Sequence, residues 1–206
     1  YSDSSQILPF LKNSEYEAAC AIMKKIVAAQ AKRDRFVGIL YGQFMATANG
    51  VYVIETNARF GDPEAMNVIS ILKNNLYDIF EAMANRRLLG IDISWEQKAT
   101  VLKYLVPNGY PGKSVAPAEI IVDDEALQEC GAEIFYASVD EREGKIYSGK
   151  SRSIGVLGIA DNIFEAAEIA EAGCHAVEGP LWHRKDIGSR ELVERRIAHM
   201  RELRGE

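Results

Sequence analysis

Apolar residues in the first half of the chain follow a helical pattern and then a strand pattern. An Ala-rich run with helical periodicity predicts a helix over Glu15 to Lys32, with Ser14 and Glu17 at the spacing of a capping box. Two strand-like apolar runs follow, Phe36 to Thr47 and Val51 to Asn57. Asn-Gly stands between them and is a strong hairpin signal, because both residues tolerate positive φ.

Two further helices are predicted after the hairpin. Asp62-Pro63 fits the N-cap and first position of a helix that continues through Ile71 and Leu72. A second helix, rich in Leu, Ile, Phe and Ala, is expected from Asn75 or Leu76 to Arg87.

From about Lys98 the pattern changes to short strands followed by helices. The predicted strands are Ala99–Val106, Glu119–Val122, Ala132–Val139, Ile146–Ser148 and Ser151–Ala160, with residues 139–145 read as a turn. Asp161 predicts the cap of an Ala-rich helix to Ala172, and Ser189 the cap of a charged final helix to Leu203. This order is typical of the α+β class and places a domain boundary near residues 96–98.

Composition narrows the functional classes. The chain has 206 residues, of which 48% are hydrophobic and 26% charged, so it can bury a core and is not a disordered segment. Its net charge of −6 lacks the positive field of a general nucleic-acid binder. No run approaches the ~20 apolar residues of a membrane span, and neither a signal peptide nor a membrane partner is expected. Cys20, Cys130 and Cys174 form no CxxC pair and predict buried thiols in a reducing cytosol, so a cytoplasmic location is expected.

Candidate chemistry concentrates at the end of the second predicted strand. Residues two apart on a strand face the same side, so Glu55 and Asn57 project together, with Arg59 just beyond them. If the hairpin loop is the three residues 48–50, with the glycine left-handed, Gln43 lies directly across from Glu55. One carboxylate and two amides then share a patch of sheet.

Two interpretations fit this patch from spacing alone. Hard oxygen donors with a single carboxylate suit Mg²⁺ or Mn²⁺ bound jointly with substrate phosphates, and Arg59 could neutralise a phosphate. An ordinary, solvated polar strand end fits the short E-x-N pattern at least as well. The loop that follows, RFGDPE over residues 59–64, favours the first interpretation, because Gly61 permits close backbone approach and a helix N-terminus attracts anions.

These motifs resemble a known family. The string ETNARFGDPEAM, with GILYGQFM before it, resembles the ATP-grasp ligases and, within them, the phosphoribosylamine–glycine ligase family. NGYPG at residues 108–112, RKDIG at residues 184–188 and YSDSSQILPF at the start support the resemblance in matching order. It covers essentially the whole chain. The implied fold is the C-terminal half of an ATP-grasp domain, an antiparallel sheet with helices over 1–97, followed by a small α+β domain over 98–206.

The resemblance implies an enzyme of purine biosynthesis. ATP would phosphorylate glycine, and 5-phosphoribosylamine would attack the resulting glycyl phosphate, giving glycinamide ribonucleotide, ADP and phosphate. Carried over by position, Gln43, Glu55 and Asn57 match metal ligands for Mg²⁺ or Mn²⁺. Arg59 and Asp62 match catalytic positions, and Lys185 and Asp186 match a substrate pocket, although a surface loop fits these last two equally well. No residue of this chain is assigned to bind ATP itself.

Two departures from the family pattern qualify these expectations. Met66 stands where the family usually has Gln or Glu, so that role is either shifted to Asn67 or absent. The nucleotide-clamping lobe and the N-terminal domain of the family have no counterpart here, so we expect a C-terminal portion that is inactive alone and lacks the parent's N-terminal domains. Another ATP-grasp carboxylate–amine ligase and a non-catalytic folded fragment are the alternatives.

Overall fold

A computed structural model describes residues 1–33 and 36–206 of the chain. The contacts divide it into two compact units. We name the first, residues 1–6 and 97–192, the sheet unit, and the second, residues 7–96 and 193–206, the hairpin unit. The α+β class is confirmed. The assignment of domains to residues 1–97 and 98–206 stays a prediction, and in the structure the two terminal segments each pack with the other part of the chain.

The sheet unit contains two four-stranded antiparallel sheets. Its strands are β3 Ala99–Pro107, β4 Glu119–Val122, β5 Glu133–Tyr136, β6 Val139–Arg142, β7 Lys145–Ser148, β8 Ile154–Ala160, β9 Val177–Glu178 and β10 Leu181–Trp182. One sheet has the order β10-β3-β8-β5 and the other β6-β7-β4-β9. The helices are α4 Asp124–Cys130 and α5 Ile163–His175, and the final helix, α6 Arg190–Arg204, begins here.

The core of the sheet unit forms where α5 covers the two central strands. Ala99, Val101, Ile154, Val156 and Leu157 from β3 and β8 are almost completely buried. Helix α5 turns small residues toward them, including Ala166 and Ala170. The strands predicted over Ala99–Val106 and Ser151–Ala160 are confirmed as β3 and β8, and their continuous apolar sequence fits strands that are buried on both faces.

The hairpin unit combines one β-hairpin with helices and irregular segments in its described residues. It contains α1 Asn13–Arg33, β1 Tyr41–Thr47, β2 Gly50–Asn57, α2 Glu64–Ile69, α3 Leu76–Ala84 and a short 3₁₀ turn at Leu88–Gly90. Strands β1 and β2 pair antiparallel as the Asn-Gly signal predicted. The first predicted strand was too long, since residues 36–40 are not part of β1.

Several predicted helix caps were wrong by a short distance. In α1 the backbone N–H of Lys12 donates to the Glu15 carboxylate at 2.8 Å, so the glutamate contact of the cap lies two residues before the predicted one, without a side-chain acceptor at the N-cap. Helix α2 begins at Glu64 after Pro63 and ends at Ile69, so Asp62 is not its N-cap. Asn162, rather than Asp161, caps α5 through two backbone N–H groups. The prediction that Ser189 caps α6 is confirmed, because its hydroxyl accepts a hydrogen bond from the N–H of Leu192 at 3.2 Å.

Short elements escaped the sequence pattern. Residues 139–142 form β6 instead of part of a turn, and the turn itself is only Glu143-Gly144. Helix α4 and the two-residue strands β9 and β10 were not predicted. Elements this short contain too few residues to display a period. The short strands are defined by pairing with neighbouring strands, which a local pattern does not contain.

A partly buried ion pair joins the two ends of the hairpin unit. Arg204 near the end of α6 donates to both Glu15 carboxylate oxygens, at 3.1 and 2.5 Å, and to the carbonyl of Phe10 at 2.9 Å. Burial alone would raise the pKa of Glu15, but the hydrogen bonds from Arg204 and Lys12 outweigh it and lower that pKa below 4.5. The planar guanidinium suits this two-oxygen contact.

Replacing Arg204 with alanine is expected to destabilise the chain by about 1–3 kcal/mol at pH 7, the usual cost of losing hydrogen bonds to a charged group. Because the folded-state pKa of Glu15 is depressed, the ion pair stabilises the fold above the unfolded pKa of the carboxyl and loses this effect as the pH falls through the folded value. Urea unfolding at pH 7 and pH 3 measures both effects. Arg201→Ala, an exposed arginine on the same helix, is the control; equal losses in both variants would contradict the assignment.

Candidate active site

The hairpin register places Gln43 directly opposite Glu55, as predicted, but for a different reason. Thr47 pairs with Gly50, so the loop has two residues and not the expected three. A register shift between Gln43 and Phe44 then places Ile54 as the extra residue of a β-bulge. The loop is one residue shorter than predicted, and the bulge adds one residue to β2. These two changes in register cancel, so Gln43 still pairs with Glu55.

Glu55 and Asn57 lie on one side of β2, where the hairpin ends. The Asn57 amide nitrogen donates to Glu55 Oε1 at 2.9 Å, which leaves the amide oxygen as the atom of Asn57 that can face a cation. Glu55 and Gln43 are exposed, and Asn57 is half-buried. The patch therefore offers oxygen donors from two adjacent strands, with a single negative charge among them.

This donor set fits a hard divalent cation that is shared with a phosphorylated ligand. Such cations prefer oxygen ligands and are commonly held by one or two carboxylates together with substrate phosphates. Across residues 1–33 and 36–206, no three His, Cys, Asp or Glu side chains are grouped so that they could hold a metal ion by themselves.

The loop after β2 presents Arg59 and Asp62, both exposed. The Arg59 guanidinium donates to the carbonyl of Phe60 at 2.7 Å, which folds its side chain back along the loop. Gly61 is buried, and a Cβ there would overlap Glu64 Oε2 and lie 2.9 Å from the Tyr41 ring. A side chain at this position would therefore force the Glu64 carboxylate and the Tyr41 ring to shift.

Tyr41 is a residue of this region that the sequence did not single out. Its hydroxyl donates to Glu64 Oε1 at 2.9 Å, and in the hairpin register it pairs with Asn57. Burial and then the Glu64 carboxylate raise the pKa of Tyr41 to about 12. The sequence contained a signal that could have placed Tyr41 near the site, because Tyr41 is two residues before Gln43 and therefore on the same face of the strand.

The remaining predicted positions near the loop are internal. Asn67 is buried in α2 and Met66 is half-buried.

In the sheet unit, the structure separates the two predicted substrate residues Lys185 and Asp186. Lys185 is exposed and lines a cavity of about 350 Å³ together with Ser189 and Arg190 at the start of α6. Asp186 instead accepts from Arg184 through both carboxylate oxygens, at 3.0 and 2.6 Å. Lys185 is thus the residue of this pair that faces an open volume.

A hairpin that ends in oxygen donors and an arginine, followed by an α+β unit, is consistent with part of an ATP-grasp ligase fold. The family model described as "Phosphoribosylglycinamide synthetase, ATP-grasp (A) domain" matches residues 3–65. The model described as "Phosphoribosylglycinamide synthetase, C domain" matches residues 100–190. The chain belongs to the phosphoribosylglycinamide synthetase family, which confirms the resemblance drawn from its motifs.

Individual proteins that resemble this chain carry the name of the same family. The chain is 47% identical over 205 residues to the phosphoribosylamine–glycine ligase of Methanocaldococcus jannaschii, covering 99% of this chain and 46% of that protein. The enzyme of the same name from Methanothermobacter thermautotrophicus is also 47% identical, with 99% and 47% covered. The crystal structure of the Thermotoga maritima phosphoribosylamine–glycine ligase matches with a TM-score of 0.55 at 24% identity, over 71% of this chain and 36% of that one. The chain spans about half the length of the curated relatives it matches.

No helix in the described part of the chain is both long and apolar enough to cross a membrane.

Proposed function

We propose that this chain supplies the metal-binding side of a ligase site that joins glycine to 5-phosphoribosylamine with consumption of ATP. The observation that carries the proposal is the cluster of Gln43, Glu55 and Asn57, formed by the hairpin register inside the region that matches the ATP-grasp domain. The names of the relatives support the choice of substrates.

The reaction has two group transfers. A carboxylate oxygen of glycine attacks the γ-phosphorus of ATP, and the bond to ADP breaks. The amine nitrogen of phosphoribosylamine then attacks the glycyl carbonyl, the C–O bond to phosphate breaks, and the nitrogen loses a proton. The products are glycinamide ribonucleotide, ADP and phosphate.

The residues of the hairpin unit have different roles in the first transfer, the phosphorylation of glycine. Gln43, Glu55 and Asn57 would hold Mg²⁺ or Mn²⁺, which when bound neutralises the phosphate charge during phosphoryl transfer. Arg59 adds a fixed positive charge next to this cluster and stabilises the transferring phosphoryl group. Asp62 follows in the same exposed loop and orients substrate.

Lys185 contributes to binding the second substrate, phosphoribosylamine. Lys185 lines one cavity with Ser189 and Arg190 at the start of α6, and Glu168 and Glu171 line it as well. Glu171 is paired with Lys103, and the positive charges of Lys185 and Arg190 beside the helix N-terminus favour a phosphate group such as that of phosphoribosylamine. Asp186 orients Arg184 through their two-oxygen ion pair.

The partners in this proposal are small molecules: ATP, glycine and 5-phosphoribosylamine. We place the reaction in the cytoplasm, as a step of purine biosynthesis. This chain spans about half the length of the relatives it matches, and we expect turnover to depend on the part of the relatives that it does not match.

A chimeric ligase tests the proposal. In it, this chain replaces the matching segment of the M. jannaschii relative, and phosphoribosylamine forms in situ from ribose 5-phosphate and ammonia. We expect ADP release that requires both glycine and ribose 5-phosphate, with glycinamide ribonucleotide detected by mass spectrometry. A folded chimera that releases ADP only with a different carboxylate or amine would contradict the proposal.

A further inference from the structure

A lysine lies in the buried centre of the sheet unit, where an apolar residue is the usual choice. Lys103 is on β3 and only 3% exposed. Its ammonium group donates to Glu171 Oε2 of α5 at 2.6 Å and to the backbone carbonyl of Lys185 at 3.2 Å. The two acceptors come from segments 68 and 82 residues further along the chain.

Glu171 connects Lys103 to a second residue of the loop between β10 and α6, residues 183–188. Its Oε2 atom is 3.0 Å from His183 Nε2, and its Oε1 atom is 3.5 Å from His175 Nε2. Burial alone would raise the pKa of Glu171, but the hydrogen bonds from Lys103 and His183 outweigh it and lower that pKa. The carboxylate is therefore held in its charged form between β3, α5 and the loop.

The loop is also held at its far end. Gly188 has φ +77°, and a Cβ there would come 2.9 Å from Ala167 and 3.0 Å from Val101. Residues 183–188 are thus attached at the His183 side chain, at the Lys185 carbonyl and at the Gly188 backbone. Between these points, the Lys185 side chain remains exposed and borders the cavity.

Stability does not explain a buried lysine at this position. Removing two charges from water is costly, and replacing a buried ion pair with apolar residues of similar volume is often neutral or stabilising. What an apolar side chain cannot do is donate to the Lys185 carbonyl. The specific effect of Lys103 is therefore to fix the backbone from which the Lys185 side chain extends.

We propose that Lys103 is a positioning residue that, with Glu171 and His183, fixes the Arg184–Gly188 loop so that the Lys185 ammonium group reaches the substrate phosphate. The proposal rests on the proposed function of Lys185. It assigns to Lys103 no contact with the substrate.

Hydrogen exchange in the full 206-residue chain tests the fixed loop without any activity. Lys103→Met keeps the length of the side chain and removes its donors. We expect the amides of residues 184–188 to exchange at least tenfold faster than any acceleration seen in β8, whose amides report the general loss of stability when Glu171 loses its buried ammonium partner. Lys98→Met, which removes an exposed ion pair with Asp161, is the control and should leave the loop unaffected. Unchanged exchange of the loop in Lys103→Met would overturn the proposal.

Steady-state kinetics of the chimeric ligase test the positioning. Lys103→Met is expected to raise the KM for ribose 5-phosphate about tenfold, leaving kcat and the KM values for ATP and glycine within threefold. Lys185→Met should raise the same KM. If Lys185→Met raises it and Lys103→Met does not, the positioning role is wrong and the proposed site stands. If neither variant changes it, the loop does not bind this phosphate, and both assignments fall.

Discussion

Replacing Glu55 with alanine in the chimeric ligase is expected to reduce ADP release by about 10³-fold. Glu55 is the carboxylate among the three oxygen donors, and its loss leaves only the neutral amides of Gln43 and Asn57. It also removes the acceptor of the 2.9 Å hydrogen bond from Asn57. A bound cation contributes several kcal/mol to stabilising charge in phosphoryl transfer, and about 4 kcal/mol corresponds to a factor of 10³.

A second substitution separates charge from structure. Glu55→Gln retains an oxygen that can accept from Asn57, so it should keep the local geometry and still lose most activity. The metal itself is measured by titrating Mn²⁺ and observing its electron paramagnetic resonance signal in the presence of ATP. Both variants should weaken Mn²⁺ binding by at least tenfold, with unchanged melting temperatures.

The control is Glu141→Ala, which removes an exposed glutamate of β6. It should leave turnover and Mn²⁺ binding within twofold. Turnover of Glu55→Ala within threefold of the parent chimera would show that the cluster is a solvated strand end, which is the alternative that spacing alone left open.

Replacing Gly158 with alanine is expected to lower the free energy of unfolding by about 2–3 kcal/mol, near the upper end of the usual cost of overpacking a core. Gly158 lies on β8 beneath α5. A Cβ there would overlap the carbonyl oxygen of Ala166 and lie 2.7 Å from the backbone nitrogen of Ala170. Both atoms belong to the helix backbone, so no flexible side chain can move aside and α5 must shift away from the sheet.

Thermal unfolding followed by circular dichroism measures this cost. For a chain of this size we expect the Tm to fall by roughly 4–12 °C. Gly90→Ala is the control, since a Cβ at Gly90 meets no atom within 4 Å, and its effect should stay within about 0.5 kcal/mol. A Tm change in Gly158→Ala no larger than in Gly90→Ala would contradict the close packing of α5 on β8.

The hairpin shows how far local signals reach. Asn-Gly identified the turn, and the E-x-N spacing identified two donors on one strand face. The number of loop residues was wrong, and the bulge at Ile54 was not foreseen. A turn signal depends on the φ preferences of two residues, whereas a bulge depends on how the strand packs against its surroundings, which no local window contains.

The helix ends also show which features local sequence predicts and which depend on the folded structure. Several residue types can cap a helix, and neighbouring candidates compete, so Asp161 and Asn162 could not be distinguished before the chain was folded. In α1 the competition was between side chains two residues apart, and Glu15 made its cap contact with Lys12.

The sequence by itself determined the α+β class, the existence of strands β3 and β8, and the family, because these follow from runs of strand-forming residues and from motifs that are contiguous in the chain. Only the tertiary structure decided that Tyr41 holds Glu64, that Asp186 is paired with Arg184, and that Lys103 donates to the Lys185 carbonyl. A lysine inside an apolar strand is visible in the sequence, but its partners lie 68 and 82 residues away. Hydrogen bonds over such separations are created by the packing of β3 against α5 and the loop, so their residues carry no shared local pattern.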